Sequence, residues 1–165
     1  MDTAPGTFIV GFEEWVGLPM LDLPSLKVKV DTGARTSALH ARRIETFYDG
    51  GVAMVAFKVQ PVPRRPRIEI DCVAPLVDRR NVTSSNGEAE LRHVIVTDLE
   101  IGDRRWPIEI TLTNRATMSY RMLVGRQALQ PGMLVDPRSS FHQARRSHKV
   151  YRRIIAARQL EADTG

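Results

Sequence analysis

The sequence predicts an all-β fold, a barrel or a sandwich, and three observations carry that expectation. Apolar and polar residues alternate in short runs such as Leu26-Lys27-Val28-Lys29-Val30 and Ile68-Glu69-Ile70-Asp71-Cys72-Val73, as in strands with one face buried and one face wet. Turn signals separate the runs at close intervals: Asp49-Gly50-Gly51, Asn86-Gly87 and Ile101-Gly102-Asp103. Helical spacing is confined to one short stretch at 125–129 and to the tail after Ser139. At 165 residues the chain is long enough for one globular unit with a substantial core, and 42% hydrophobic with 26% charged residues excludes wholesale disorder.

Taken in order, Phe8-Ile9-Val10 reads as a strand, Gly11 as a turn, and Glu13 to Leu18 as a second short strand stopped by Pro19. Trp15 is expected in the core. Leu26 to Val30 is the strand that leads into Asp31-Thr32-Gly33. Ile44 to Tyr48 and Val52 to Val59 flank Asp49-Gly50-Gly51 as a hairpin, and KVQPVPRRPR, residues 58–67, is a basic loop rich in proline. The strand from Ile68 is expected to stop at Pro75. Residues 81–96 form a hairpin of polar arms turning on Asn86-Gly87; polar arms bury little core and open locally at small cost, as a cover over a cleft must. Val94 to Leu99, Trp106 to Leu112 and Arg121 to Val124 supply further strands, and Gly125 to Leu129 is a single helical turn closed by Pro131-Gly132. From Ser139 onward Ala144, Tyr151, Ile154, Ile155 and Leu160 lie at helical spacing among arginines, so the tail is expected to be a basic amphipathic helix.

The formal charge of +5 and pI of about 9.9 favour acidic partners. The single Cys72 excludes an intrachain disulfide and fits a buried thiol in a reducing compartment. The first residues lack a basic start followed by an apolar run, and no stretch has the apolar length of a membrane span, so a cytoplasmic location is expected. No G-x-x-x-x-G-K-[ST] loop is present, and His40, His93, His142, His148 and Cys72 show no ligand spacing. We therefore expect no cofactor and no metal. General RNA binding through the basic tail has charge in its favour, but no RRM or KH signature and no aromatic platform accompanies it.

The stretch with the most chemical content is Asp31-Thr32-Gly33. The preceding alternation fixes the height at which Asp31 leaves its strand; Thr32 can hydrogen-bond nearby backbone, and Gly33 permits a sharp turn. The same tripeptide also occurs in ordinary Asp-capped turns, so the rest of the chain has to decide its role.

Three parts recur in order: KVDTGARTSALHA at 29–41, SSNGE at 84–88, and LTNR with MSYRMLVGRQAL at 112–129; EEWVGLP at 13–19 and LVDP at 134–137 flank them. This arrangement resembles the retropepsin-like aspartic proteases, and more closely the bacterial family described as ATP-dependent zinc proteases, which includes the RimB-type proteins. The resemblance covers roughly residues 8–137. It implies a single-lobed, closed retropepsin-like barrel over 1–137, followed by a basic extension, 138–165. It implies a catalytic loop of Asp31, Thr32 and Gly33; a flap at Ser84, Ser85, Asn86 and Gly87; and support of the active site by Ala34, Gly125 and Arg126. Arg35 departs from viral retropepsins, which usually carry an acid shortly after the motif that can pair with the arginine corresponding to Arg126. Some relatives are associated with ATP-grasp ligases that add glutamates to a ribosomal protein.

Peptide hydrolysis of this kind needs two carboxyl groups holding one water, and the chain has one Asp-Thr-Gly. A twofold homodimer bringing together Asp31 from each subunit is the economical solution. An acidic peptide or protein tail would need cations in the cleft; Arg35 is nearest the motif in sequence, with Arg43, Arg64, Arg65, Arg92 and Arg121 as weaker candidates. The competing expectation is a regulatory module without catalysis, docking on a ligase or ribosomal component.

Overall fold

The structure, a computed structural model, describes residues 6–84, 86–115 and 118–165. Among the described residues ten strands follow one another: β1 (Ile9–Leu18), β2 (Leu23–Asp31), β3 (Ser37–His40), β4 (Arg42–Asp49), β5 (Val52–Val59), β6 (Ile70–Thr83), β7 (Ala89–Ile101), β8 (Arg104–Thr113), β9 (Met122–Gly125) and β10 (Leu134–Ser140). Short 3-10 turns occupy Pro19–Leu21 and Arg126–Ala128, and helix α1 spans Val150–Thr164. Six strands in the order β1-β2-β9-β3-β8-β7 close into a barrel through a β1–β7 contact at Gly17 and Glu100. The all-β barrel expected from the sequence is therefore the observed fold, and the sandwich is not.

Alternation built the walls. On β2, Leu26, Val28 and Val30 face the core while Lys27 and Lys29 face water; on β8, Trp106, Ile108, Ile110 and Leu112 face inward. Strand β6 joins two layers, pairing with β5 over its first half and β7 over its second. Pro75 does not stop it. The proline pairs with Met54 near the start of β5, and the strand changes partner just beyond it, where a missing N–H is tolerated.

Residues 9–18 form one strand where two were expected. Gly11 sits at a register shift against β10, and a Cβ there would collide with the Ser139 carbonyl, so this glycine serves close strand approach rather than a turn. The 86–87 turn is likewise wider than two residues: Thr83 and Ala89 are the last pair, and the Ser84 N–H donates to the Glu88 carbonyl. Strands β3 and β10 were not foreseen. Both are short or edge strands in parallel pairings, β3 with β8 and β10 with β1, whose partners lie far away in sequence.

The tail is helical only from Val150, because residues 138–149 are used otherwise. Strand β10 runs through Ser140, past the expected boundary at 137. The fully buried Glu14 then accepts backbone N–H bonds from Gly11 (3.0 Å), His142 (2.6 Å) and Gln143 (3.3 Å), pinning the chain to the barrel. Arg146 reaches Glu100 at 3.2 Å. Tyr151, in the first turn of α1, is fully buried; its hydroxyl donates to the Ser25 carbonyl (2.5 Å) and accepts the Ser25 N–H (3.1 Å). Ile154, Ile155 and Arg158 continue that face, whereas Leu160 is exposed.

Tyr151→Ala is expected to cost about 3–5 kcal/mol, the range for emptying a large buried aromatic site. Tyr151→Phe, which only strips Ser25 of its partner, is expected to cost about 1–3 kcal/mol. Urea midpoints of the two variants check both values.

Candidate active site

Asp31 is the last residue of β2 and lies opposite Gly125 of β9 in a parallel pair. Its Oδ1 accepts the Gly33 N–H at 3.1 Å, and its carbonyl accepts the Ala34 N–H at 3.1 Å, so the loop wraps around its own acid. Asp31 is half-buried; Thr32 and Gly33 are exposed. The carboxylate stands at the surface of the barrel.

A second segment locks this loop from behind. The Gly125 N–H donates to Ser37 Oγ (3.0 Å), the Arg126 N–H to the Ala34 carbonyl (2.9 Å) and the Gln127 N–H to the Arg35 carbonyl (3.2 Å). Arg126 Nη1 adds a bond to the Gly33 carbonyl at 3.3 Å, which supplies the partner left open by the absence of an acid after the motif. The approach is close enough that a Cβ on Gly125 would lie 2.5 Å from the Thr36 carbonyl group. Ala34, Gly125 and Arg126 thus meet the Asp31 loop directly.

Ser37 extends the lock inward. Its carbonyl accepts from Thr111 Oγ1 (3.0 Å); Thr111 accepts from Arg92 Nη1 (3.3 Å); and Arg92 Nε donates to Glu90 (3.0 Å). Arg92 is buried and committed to this chain, so it is withdrawn from the substrate-binding set: its charge is spent inside. Arg121 is also buried, and desolvation alone lowers its pKa; it lies beside His40, away from the cleft. Arg43 is exposed at a register irregularity on the outer edge strand β4, with φ of +50°. Neither lines the cleft described next.

That cleft, about 810 Å³, runs between the Asp31 loop's trailing segment and the first arm of the 81–96 hairpin. Arg35, Ser37, Arg80, Thr83, Glu109 and Gln127 are among its walls. Of the expected cationic residues only Arg35 is there. Asp31 stands beside the cleft rather than in its lining. Arg64 belongs to a separate hollow of about 430 Å³ with Trp15, Lys27 and Tyr120. At the hairpin tip Ser84, Asn86 and Gly87 form a turn, with φ of +84° at Gly87; Ser85 lies outside the described residues. Arg80, Ser37, Glu90, Glu109 and Thr111 were missed from sequence, since no motif marks them and only the fold brings them together.

The zinc that the resemblance implies finds no ligand set: among the described residues no three His, Cys, Asp or Glu side chains gather. Cys72 is buried, and burial pushes its thiol up to about 12, which makes it a poor thiolate donor. His40 Nδ1 accepts the Arg115 N–H at 2.9 Å, which places the neutral ring's proton on Nε2; that nitrogen has no partner among the described residues. Burial, assisted by the charges of Arg121 and Arg42, holds the imidazole below its ordinary 6.5. The unfolded chain therefore takes up this proton first as pH falls. Stability is expected to decline as pH drops below 6.5, by up to about 1.4 kcal/mol per pH unit, until folded His40 itself protonates. Denaturant titrations across pH should show a shallower slope in His40→Gln.

A closed barrel whose Asp-Thr-Gly loop is held by a parallel Gly-Arg strand end defines the retropepsin-like class. A family of retropepsin-like aspartic endopeptidases, RimB-like, matches residues 9–146, and the chain belongs to that family. A Shewanella pealeana protein described as "Probable alpha-L-glutamate ligase" is 47% identical over 134 residues, covering 81% of this chain but 29% of that protein. A Parasynechococcus marenigrum protein of the same description is 45% identical over 135 residues, 82% of this chain and again 29% of that one. The chain thus spans under a third of these relatives. A crystal structure of a Legionella pneumophila protein of unknown function superposes with a TM-score of 0.69 at 28% identity, over 82% of this chain and 97% of that one. Among the described residues no helix is long and apolar enough to cross a membrane.

Proposed function

We propose that this protein is an aspartic peptidase in which Asp31 from two copies meets across a twofold axis and hydrolyses peptide bonds in acidic, glutamate-rich chains. The observation that carries the reading is the presentation of Asp31: half-buried, at a strand end, in a loop locked by Gly125 and Arg126 yet facing outward with Thr32 and Gly33 exposed. Such a loop can meet its symmetry mate. Two carboxyl groups brought a few ångströms apart share one proton and titrate as a pair, so that one draws a proton from water while the other polarises the amide carbonyl. The polar hairpin of β6 and β7 would cover the bound chain as a flap.

Arg35, exposed on the cleft wall, supports an acidic substrate, since glutamates are costly to desolvate without cationic partners. The glutamate ligase description of the relatives points to the same chemistry from the other side: one activity adds glutamates, and this one would remove them. We expect purified protein to convert oligoglutamate into fragments readable by mass, without added ATP or metal. Arg35→Ala is expected to lower kcat/KM about tenfold on oligoglutamate, as loss of a charge-assisted contact does, and to change a neutral peptide little. An equal loss on both peptides would remove Arg35 from recognition.

A second reading has one observation in its favour. The relatives carry this unit within much longer chains named for ligase activity, which suits a regulatory module that binds such a ligase or its ribosomal substrate without cutting anything. Such a module would have no use for the Asp31 carboxyl.

A further inference from the structure

The cleft wall carries two arginines in different states. Arg35 engages no acid among the described residues, whereas Arg80 is fully engaged. Its Nη1 and Nη2 fork onto both oxygens of Glu109 at 2.5 and 3.2 Å, and its Nε holds Asp78 at 2.6 Å. Each neighbour raises the Arg80 pKa, Glu109 first, and Arg80 in turn lowers that of Glu109. Arg80 and Glu109 both line the cleft, on β6 and β8, which are separated by β7. The pair therefore reaches across a strand and is not needed to join neighbouring ones.

We propose that Glu109 occupies, from within the chain, the seat that a glutamate side chain of the substrate takes, so that Arg80 is a specificity-determining residue and Glu109 its built-in competitor. The inference rests on the acidic-peptide reading above and names the subsite. Three features support it. The two-point fork is the geometry with which a guanidinium recognises a carboxylate, and the carboxylate of Glu109 is chemically that of any substrate glutamate. Both side chains are substantially open to water, 38% for Arg80 and 46% for Glu109; exposed pairs of this kind are weak and exchange readily. Asp78 grips Nε, the one guanidinium nitrogen that the fork does not use, and keeps the group in place while Glu109 leaves. Selectivity follows from the exchange: a carboxylate can displace Glu109, while a neutral side chain offers Arg80 nothing in return.

The test uses the full chain carrying Asp31→Asn, so that nothing is cut, with fluorescein-labelled oligoglutamate and oligoglutamine as probes. In that background Glu109→Gln is expected to tighten oligoglutamate binding about fivefold, and Arg80→Met to weaken it about tenfold. The Arg80→Met/Glu109→Gln double variant should match Arg80→Met alone, because a competitor has no effect without its seat. Oligoglutamine should respond to none of them, and thermal melts verify that each variant is folded. Weaker or unchanged oligoglutamate binding in Glu109→Gln, unchanged binding in Arg80→Met, or no binding by the parent overturns the proposal. Failure of the peptidase reading is seen separately, as intact oligoglutamate after incubation with the wild-type chain.

Discussion

Asp31→Asn is expected to remove peptidase activity by at least about a hundredfold while leaving the fold in place, because loss of a positioned acid–base group costs about 10²–10⁴ in rate. The structural half of this expectation rests on the loop. Oδ1 of Asp31 accepts one bond, from the Gly33 N–H, and the Oδ1 of an asparagine can accept the same bond. The side chain is half-buried at a strand end, so the change leaves no unpaired charge in the core and should shift stability by no more than about 0.5 kcal/mol. The chemical half is that an amide neither takes a proton from water nor holds one for the carbonyl. Fragment masses and a thermal melt of one preparation measure the two halves together. Mixing adds a test of the shared dyad: an excess of Asp31→Asn subunits should silence wild-type subunits that exchange into mixed dimers. Cleavage at the wild-type rate by Asp31→Asn would overturn the Asp31 dyad, whereas no cleavage by the wild-type chain would leave only the regulatory reading standing.

The second large effect is expected at Gly125. A valine there would place its Cβ 2.5 Å from the Thr36 carbonyl carbon and oxygen and 3.0 Å from the Arg35 carbonyl carbon, and all three are backbone atoms that cannot swing aside. The strand end and the Asp31 loop must separate. Overpacking of this sort costs about 1–3 kcal/mol. Each of the four bonds that join the segments adds about 0.5–1.5 kcal/mol if it breaks. With the segments separated, Gly125→Val should therefore lower the melting temperature by at least about 5 °C, at about 2–4 °C per kcal/mol for a chain of this size. Gly51→Ala is a suitable control: its site has open space but a φ of +82°, so only about 1 kcal/mol of backbone strain is expected. Wild-type melting in Gly125→Val would mean that the two segments are not locked together.

What the sequence disclosed and what it hid divide along the range of the forces involved. Alternation in Leu26 to Val30 and Trp106 to Leu112 is local, and both strands lie where it put them. The Asp31 loop was legible because a turn is written in three or four adjacent residues. Strand β10 was hidden because its partner, β1, is more than a hundred residues away, and a short run such as Leu134 to Ser140 has no pattern of its own. The arginines show the same limit. Arg92 and Arg35 look alike as letters; one is buried against Glu90 and Thr111, the other stands in the cleft, and only the three-dimensional neighbours separate them. The tail's helical spacing was real from Tyr151 to Arg158, but extending it back to Ser139 missed the use of residues 139–149 as a strap over Glu14.

That strap ties the order of synthesis to the order of folding. Strands β1 and β2 are neighbours in sequence and pair locally, yet the edge of β1 from Ile9 to Glu13 stays open until β10 has been made, and Ser25 waits still longer for Tyr151. A nascent chain thus carries an unsatisfied strand edge while the residues between β1 and β10 are made, the kind of surface on which growing chains stick to one another. Slow translation of the stretch between β2 and β10 should therefore harm the yield of native protein more than slow translation of α1.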